Sequence, residues 1–222
     1  MKLEIKVDGF RKRYRNCFVS IKDMSIRKRI TLICGPNGSG KSTLLKAMAG
    51  FISYEGQITG NYSYSYYSEV SSYPEDINIL DFHNNLMRLS EKKVEYEVLY
   101  DNLSYLGLES KIEEEISNLS KGMKAKAGLL FCLSQSANVY LLDEPLSGLD
   151  RDSIKEVKKM IVESNKIFII TSHLQSELFN IAEEVIHLDW FNEFTLQLFI
   201  FKKNILYHAK FGPCLFDWSN IF

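Results

Sequence analysis

Long apolar runs are missing from this chain of 222 residues. The strongest, FTLQLFIF at 194–201, falls well short of the roughly 20 residues that a membrane-spanning helix needs. MKLEIKVDGF turns polar within a few residues, so the form of a signal peptide is absent too. The expectation is a chain that is soluble or held at a membrane by a partner. A net charge of −1, from 27 basic and 28 acidic residues, provides no overall field to attract nucleic acid. The local clusters Arg11, Lys12, Arg13, Arg15 and Arg27, Lys28, Arg29 read as a solvated face or as a small basic patch. Cysteine is scarce, and Cys17, Cys34, Cys132 and Cys214 show no metal-ligand spacing. Cys34 and Cys132 lie in apolar segments and read as buried small hydrophobes, consistent with a reducing compartment. Neither an internal repeat nor a long disordered linker is present, and the length suits one α/β domain or a domain with a small insertion.

What is there begins with strand signals. LEIKV at 3–7 alternates, Val19 to Ile26 does so less regularly, and ITLIC at 30–34 is a buried run. A helix is expected from Ser42 to Gly50. Residues 56–74, GQITGNYSYSYYSEVSSYP, combine Tyr and Ser with few long aliphatics, a composition expected for solvent-facing strands and turns. From Ile79 to about Leu133 the period becomes helical, broken near Gly107 and resuming after Gly122. ANVYLLD at 137–143, RDSIKEVKKMIVESN and KIFIITS at 166–172 then follow as strand, helix, strand, which implies a parallel sheet covered by helices.

Directly behind ITLIC stands GPNGSGKST, residues 35–43, which fits G-x-x-x-x-G-K-[ST]. Gly35, Gly38 and Gly40 let backbone N–H groups turn inward, and Lys41 opens a helix whose N-terminus favours anions. In this pattern Lys41 reaches β- and γ-phosphates and Ser42 ligates Mg²⁺. VYLLDEP places Asp143 and Glu144 at the carboxyl end of an apolar strand, where open α/β sheets bind ligands. Asp143 is expected to hold Mg²⁺ through water, and Glu144 to orient, or accept a proton from, the water attacking the γ-phosphate. His173 ends the run IFIITSH, where a neutral imidazole can hydrogen-bond the γ-phosphate or the water, or simply serve as a helix cap or surface residue.

Taken together, the chain resembles the ATP-binding cassette (ABC) ATPases over about residues 1–190. The order of motifs carries the resemblance: GPNGSGKST as Walker A, VYLLDEP as Walker B with its glutamate, SGLD at 147–150 as the D-loop, His173 as the switch histidine, and LSKGM at 119–123 in place of the usual LSGGQ. It implies a P-loop α/β fold of ABC type, with a mainly parallel core sheet, an N-terminal antiparallel β subdomain and a helical subdomain. The whole of 1–222 then reads as one nucleotide-binding domain, with 1–78 and 134–222 as ATPase core and 79–133 as helical subdomain. ATP contacts follow at Gly35, Pro36, Asn37, Gly38, Ser39, Gly40, Lys41, Ser42 and Thr43. Two such domains are expected head to tail, as a homodimer or heterodimer, with Ser120 and Gly122 of one facing the γ-phosphate held by the other and Asp150 linking the two sites.

Two departures stand out: Lys121 and Met123 in the signature, and VSSYPED at 70–76, where Glu75 takes the glutamine position of the Q-loop and would reach Mg²⁺ or water. Tyr14 resembles the adenine-stacking tyrosine, with Phe18 as a substitute and a core or surface ring as the alternative. The aromatic tail through FTLQLFIF and GPCLFDWSNIF reads as packing on the core or as a docking edge. The function the resemblance implies is an ATPase, using ATP and Mg²⁺, that powers a separate membrane permease exporting peptide, lipid or drug-like cargo. Such a subunit is cytoplasmic, peripheral on the inner face of the membrane, and has no nucleic-acid partner. The alternatives are a soluble relative acting on nucleic acid or ribosomes and a regulatory module with little turnover.

Overall fold

The computed structural model describes residues 3–15, 17–69, 73–74, 76–90, 96–172 and 175–189. In chain order its strands are β1 (Ile5–Arg13), β2 (Phe18–Ile21), β3 (Met24–Ile26), β4 (Ile30–Cys34), β5 (Glu55–Thr59), β6 (Tyr64–Ser68), β7 (Val139–Asp143), β8 (Ile167–Thr171) and β9 (Glu184–His187). The helices are α1 (Lys41–Met48), α2 (Ile79–Leu89), α3 (Tyr96–Leu106), α4 (Lys121–Leu133), α5 (Arg151–Glu163) and the short α6 (Gln175–Leu178).

A parallel sheet runs β6-β7-β8-β4-β9, and β1 pairs antiparallel with β2, β3 and β5 in a second, smaller sheet. β4 and β7 are buried at every position, as expected for strands covered on both faces. Period-two alternation sends their side chains into different cores. Leu32, Leu142 and Ile170 join the side chains of α3, α4 and α5, while Ile33, Leu141 and Ile169 join those of α1 and the antiparallel sheet. Deletion of one such buried leucine side chain costs about 2–5 kcal/mol in a well-packed core.

Sequence expectations and observed elements differ in three places. The strand beginning at LEIKV continues to Arg13 through an irregularity between Asp8 and Arg11. Val19 to Ile26 is split into β2 and β3, and Asp23 Oδ1 between them accepts the Gly9 N–H at 2.6 Å. β6 is not a solvent-facing strand but the edge of the parallel sheet, with Ser65 and Tyr67 buried. Tyr67 and Tyr73 lie so close to Gly128 of α4 that a side chain at Gly128 would collide with both rings. That close approach buries a strand whose composition is polar.

The basic clusters are mostly solvated: Arg11, Arg13, Arg15, Arg27 and Lys28 are exposed. Arg29 instead donates to the Ser164 carbonyl at 2.7 Å and pairs with Glu183 at 3.2 Å, tying the C-terminal end of α5 to the sheet. Cys34 and Cys132 are buried as expected, and burial pushes the Cys132 thiol up to about 12. Among the described residues no helix is long and apolar enough to cross a membrane.

Candidate functional site

β4 ends at Cys34 and the chain turns through residues 35–40 into α1. Gly40 is the N-cap of α1, at φ 97°, and no side chain caps the helix. An L-residue is disfavoured there twice over: the backbone is left-handed, and a Cβ would run into Val19 of β2. The N-terminus of α1 therefore offers free N–H groups from a loop braced against the antiparallel sheet, the physical basis of anion binding.

Lys41 is only 7% exposed, and its ammonium donates to the carbonyls of Gly35 at 2.9 Å and Pro36 at 3.1 Å. Burial lowers its pKa, against the opposing pull of Glu144 and Asp143. Ser39 Oγ is buried and has no protein partner. A buried cation and an orphaned hydroxyl inside a glycine-rich loop fit a phosphate chain.

Asp143, 5% exposed at the end of β7, gathers hydroxyl groups from three elements. Its Oδ1 accepts from Ser42 Oγ at 2.9 Å and from Thr171 Oγ1 at 2.6 Å, and its Oδ2 accepts from the Tyr66 hydroxyl at 3.1 Å. Ser42 is the second residue of α1, and Thr171 stands in register with Asp143 at the end of β8. A hydroxyl and one carboxylate at hydrogen-bond separation are hard oxygen donors suited to Mg²⁺, which binds through one or two protein groups together with substrate phosphates and water. Among the described residues no cluster of three His, Cys, Asp or Glu side chains forms a closed metal cage.

Glu144 follows at φ 55°, the described non-glycine residue with a left-handed backbone, and its N–H donates to the Thr171 carbonyl at 3.1 Å. Such a conformation costs about 1–3 kcal/mol and is tolerated where the surroundings impose it. Tyr14, 38% exposed, shares a hydrogen bond of 3.1 Å with Thr43 Oγ1, which fixes its ring beside the phosphate loop.

The signature and D-loop residues are organised differently. Ser120 caps α4, its Oγ accepting from the Met123 N–H at 3.2 Å. Asp150 caps α5, accepting from the Ser153 N–H at 2.8 Å, and that bond holds its carboxyl below the usual range. Gly122 faces the carbonyl of Gly148, and the Lys121 methylenes lie over Gly148, so the two loops touch within one chain. Lys121 also pairs with Glu69 at 3.7 Å. His173, Glu75 and the aromatic tail lie outside the described residues.

Three contributors escaped the sequence reading. Thr171 was detectable as the polar end of an apolar run in the strand beside Asp143. Tyr66 and Glu69 were hidden because their strand looked peripheral. Ser68 is in register with Asp143, and the Glu69 N–H approaches the Asp143 carbonyl at 3.4 Å, so β6 delivers an acid to the same strand-end row.

Known proteins resemble this chain in sequence and in fold. The family model for the ABC transporter matches residues 23–147. An uncharacterised ABC transporter ATP-binding protein of Bacillus subtilis, YhcH, is 32% identical over 160 residues, covering 65% of this chain and 52% of its own length. The lantibiotic transport ATP-binding protein SrtF of Streptococcus pyogenes is 27% identical over 193 residues, 81% of this chain and 84% of that one. Among solved structures, an ABC transporter ATP-binding protein from Pyrococcus furiosus superposes with a TM-score of 0.72 at 25% identity, covering 84% of this chain and 98% of that one. Relatives named for manganese transport in Synechocystis (28%, covering 79% of this chain and 77% of that one) and for elongation in Pneumocystis carinii (30%, covering 72% of this chain and 15% of that one) also match. The matched segment runs from the antiparallel sheet through the phosphate loop and Asp143 to the start of the D-loop, and with the fold it makes this chain an ATP-hydrolysing member of the ABC transporter ATP-binding family.

Proposed function

We propose that the chain is the ATPase subunit of an exporter, working with a separate membrane permease on peptide, lipid or drug-like cargo. The observation that carries the ATPase half is the meeting of Lys41, Ser42 and Asp143 at the C-terminal edge of the parallel sheet. Lys41 binds the β- and γ-phosphates, exchanging the Gly35 and Pro36 carbonyls for phosphate oxygens, and the amides of residues 35–43 cradle the rest of the chain. Tyr14 stacks on the adenine. Ser42 and Asp143 would hold Mg²⁺, which when bound supplies charge neutralisation on the phosphate oxygens. Glu144 accepts the proton of the attacking water, and its left-handed backbone aims the carboxylate from the strand end. Glu69, beside the Asp143 carbonyl, joins Glu75 as a candidate for the acid at the Q-loop position. His173 reads the γ-phosphate, while Ser120, Gly122 and Asp150 act across a head-to-tail pair.

The permease half is supported by the surface of α2. Ile77, Asp81, Asn84, Asn85 and Arg88, with Tyr96 of α3, line an open groove of about 530 Å³, and in the family this chain resembles the segment that corresponds to residues 76–90 meets the permease. The export direction rests on the SKGM form of the signature, which resembles that of bacterial exporters. The location this implies is the cytoplasmic face of the membrane, reached through the permease.

Glu144→Gln tests the chemistry: steady-state hydrolysis is expected to drop by about a hundredfold or more while ATP binding persists. An unchanged rate refutes the role given to Glu144. Purification in mild detergent tests the partner. An integral membrane protein recovered with the chain supports transport, whereas recovery only with RNA or DNA supports the soluble reading.

A further inference from the structure

The geometry points to Tyr66 as a positioning residue for the cation-holding carboxylate: its phenol fixes Oδ2 of Asp143 so that Oδ1 stays directed at the Ser42 hydroxyl. This rests on the reading of Ser42 and Asp143 as the cation site and adds a residue that no motif contains.

The argument starts from the carboxylate. Ser42 and Thr171 both donate to Oδ1, and two bonds to one oxygen leave the plane of the carboxylate to be set by the other. The described hydrogen bond on that other oxygen is the 3.1 Å contact from Tyr66. A phenol titrates near 10 and is a donor at neutral pH, so the contact is a hydrogen bond to an ionised acceptor, the stronger kind.

Strand geometry explains the reach. Tyr66 is in register with Leu141, and Ser68 with Asp143, so Tyr66 lies on the same face as Asp143, two positions behind it. Leaning along the strand brings the hydroxyl of a long aromatic side chain to the carboxylate, which a shorter residue could not do. The ring is held edge-on against Phe51 at 5.4 Å and 82°.

The consequence appears when Ser42 turns its oxygen toward a ligand. Its lone pairs serve that ligand while its O–H can go on donating to Oδ1, and Thr171 and Tyr66 hold the carboxylate, one on each oxygen. Tyr66 thus preserves the orientation of Asp143 in the state that matters for binding.

Tyr66→Phe keeps the ring and removes the hydroxyl. Binding of a non-hydrolysable ATP analogue to the full chain, titrated across Mg²⁺ concentrations and in EDTA, reads the effect directly. The midpoint of the Mg²⁺ dependence is expected to rise about tenfold, the scale seen when a metal-holding side chain loses its own partner. Binding in EDTA is expected to stay as in the unsubstituted protein, with a melting temperature only a few degrees lower. Tyr66→Leu, which removes the ring too, is expected to show the same Mg²⁺ shift together with a still lower melting temperature. An unshifted Mg²⁺ midpoint in Tyr66→Phe overturns the proposal. If Mg²⁺ adds no affinity even in the unsubstituted protein, the cation-site reading falls first, and the two failures are distinguishable.

Discussion

Two helices of this protein begin in nearly the same words, Gly40-Lys41-Ser42 at α1 and Ser120-Lys121-Gly122 at α4, and they begin in opposite physical states. At α1 no side chain caps the helix and the lysine is buried against its own loop carbonyls. At α4 the serine hydroxyl already satisfies an end N–H, and the lysine side chain is 79% exposed. The first is an uncapped helix start with a desolvated cation beside it. The second is locally satisfied and solvated, so its participation in phosphate chemistry requires a second surface to exclude water from it. The contrast gives a physical reason for the proposed head-to-tail pair, in which one loop would supply binding energy alone and the other would become strong only when covered.

The contrast breaks most visibly at the two lysines. Lys41→Met is expected to weaken ATP binding by two orders of magnitude or so, because it removes a buried, charge-assisted phosphate contact. Lys121→Met is expected to leave single-chain ATP binding unchanged, and equilibrium binding at low protein concentration checks both. Equal losses would erase the distinction.

Ser120→Ala sharpens it at the next scale. Loss of the cap bond to Met123 is expected to cost about 1 kcal/mol of stability, read by denaturant unfolding, since α4 has this serine as its N-terminal cap. The smallest effect belongs to Glu69→Gln. Its pairing with Lys121 spans 3.7 Å with a largely exposed partner, so the loss is expected to be about 0–1 kcal/mol at low salt. Unfolding at about 0.5 M salt should bring the variant and the parent together, because exposed pairs are screened.

Much of this architecture is legible in the sequence, for reasons that differ by element. Residues 30–48 and 139–143 could be read because strand burial is continuous there and the glycine spacing has one good physical explanation. α4 and α5 could be read from their helical period, whereas the caps Ser120 and Asp150 became visible only in the structure. What could not be read depended on contacts distant in sequence. β6 is polar by composition, yet it pairs with β7 in the main sheet, and Gly128 of α4 leaves room for Tyr67 and Tyr73 over it. With β6 set aside as surface, Tyr66 and Glu69 lost their link to Asp143. Thr171 was within the segment recognised as a strand, yet its role became visible only through its register with Asp143. The expectations for His173 and Glu75 fall on residues outside the described ones.

The left-handed backbone at Glu144 has a consequence for how this protein can be improved. A glycine at that position would relieve the conformational cost and make the chain hardier, while deleting the group assigned to water activation. Selection for heat resistance alone would therefore reward the loss of turnover at this one codon, and any screen that enriches sturdier variants has to measure phosphate release alongside survival.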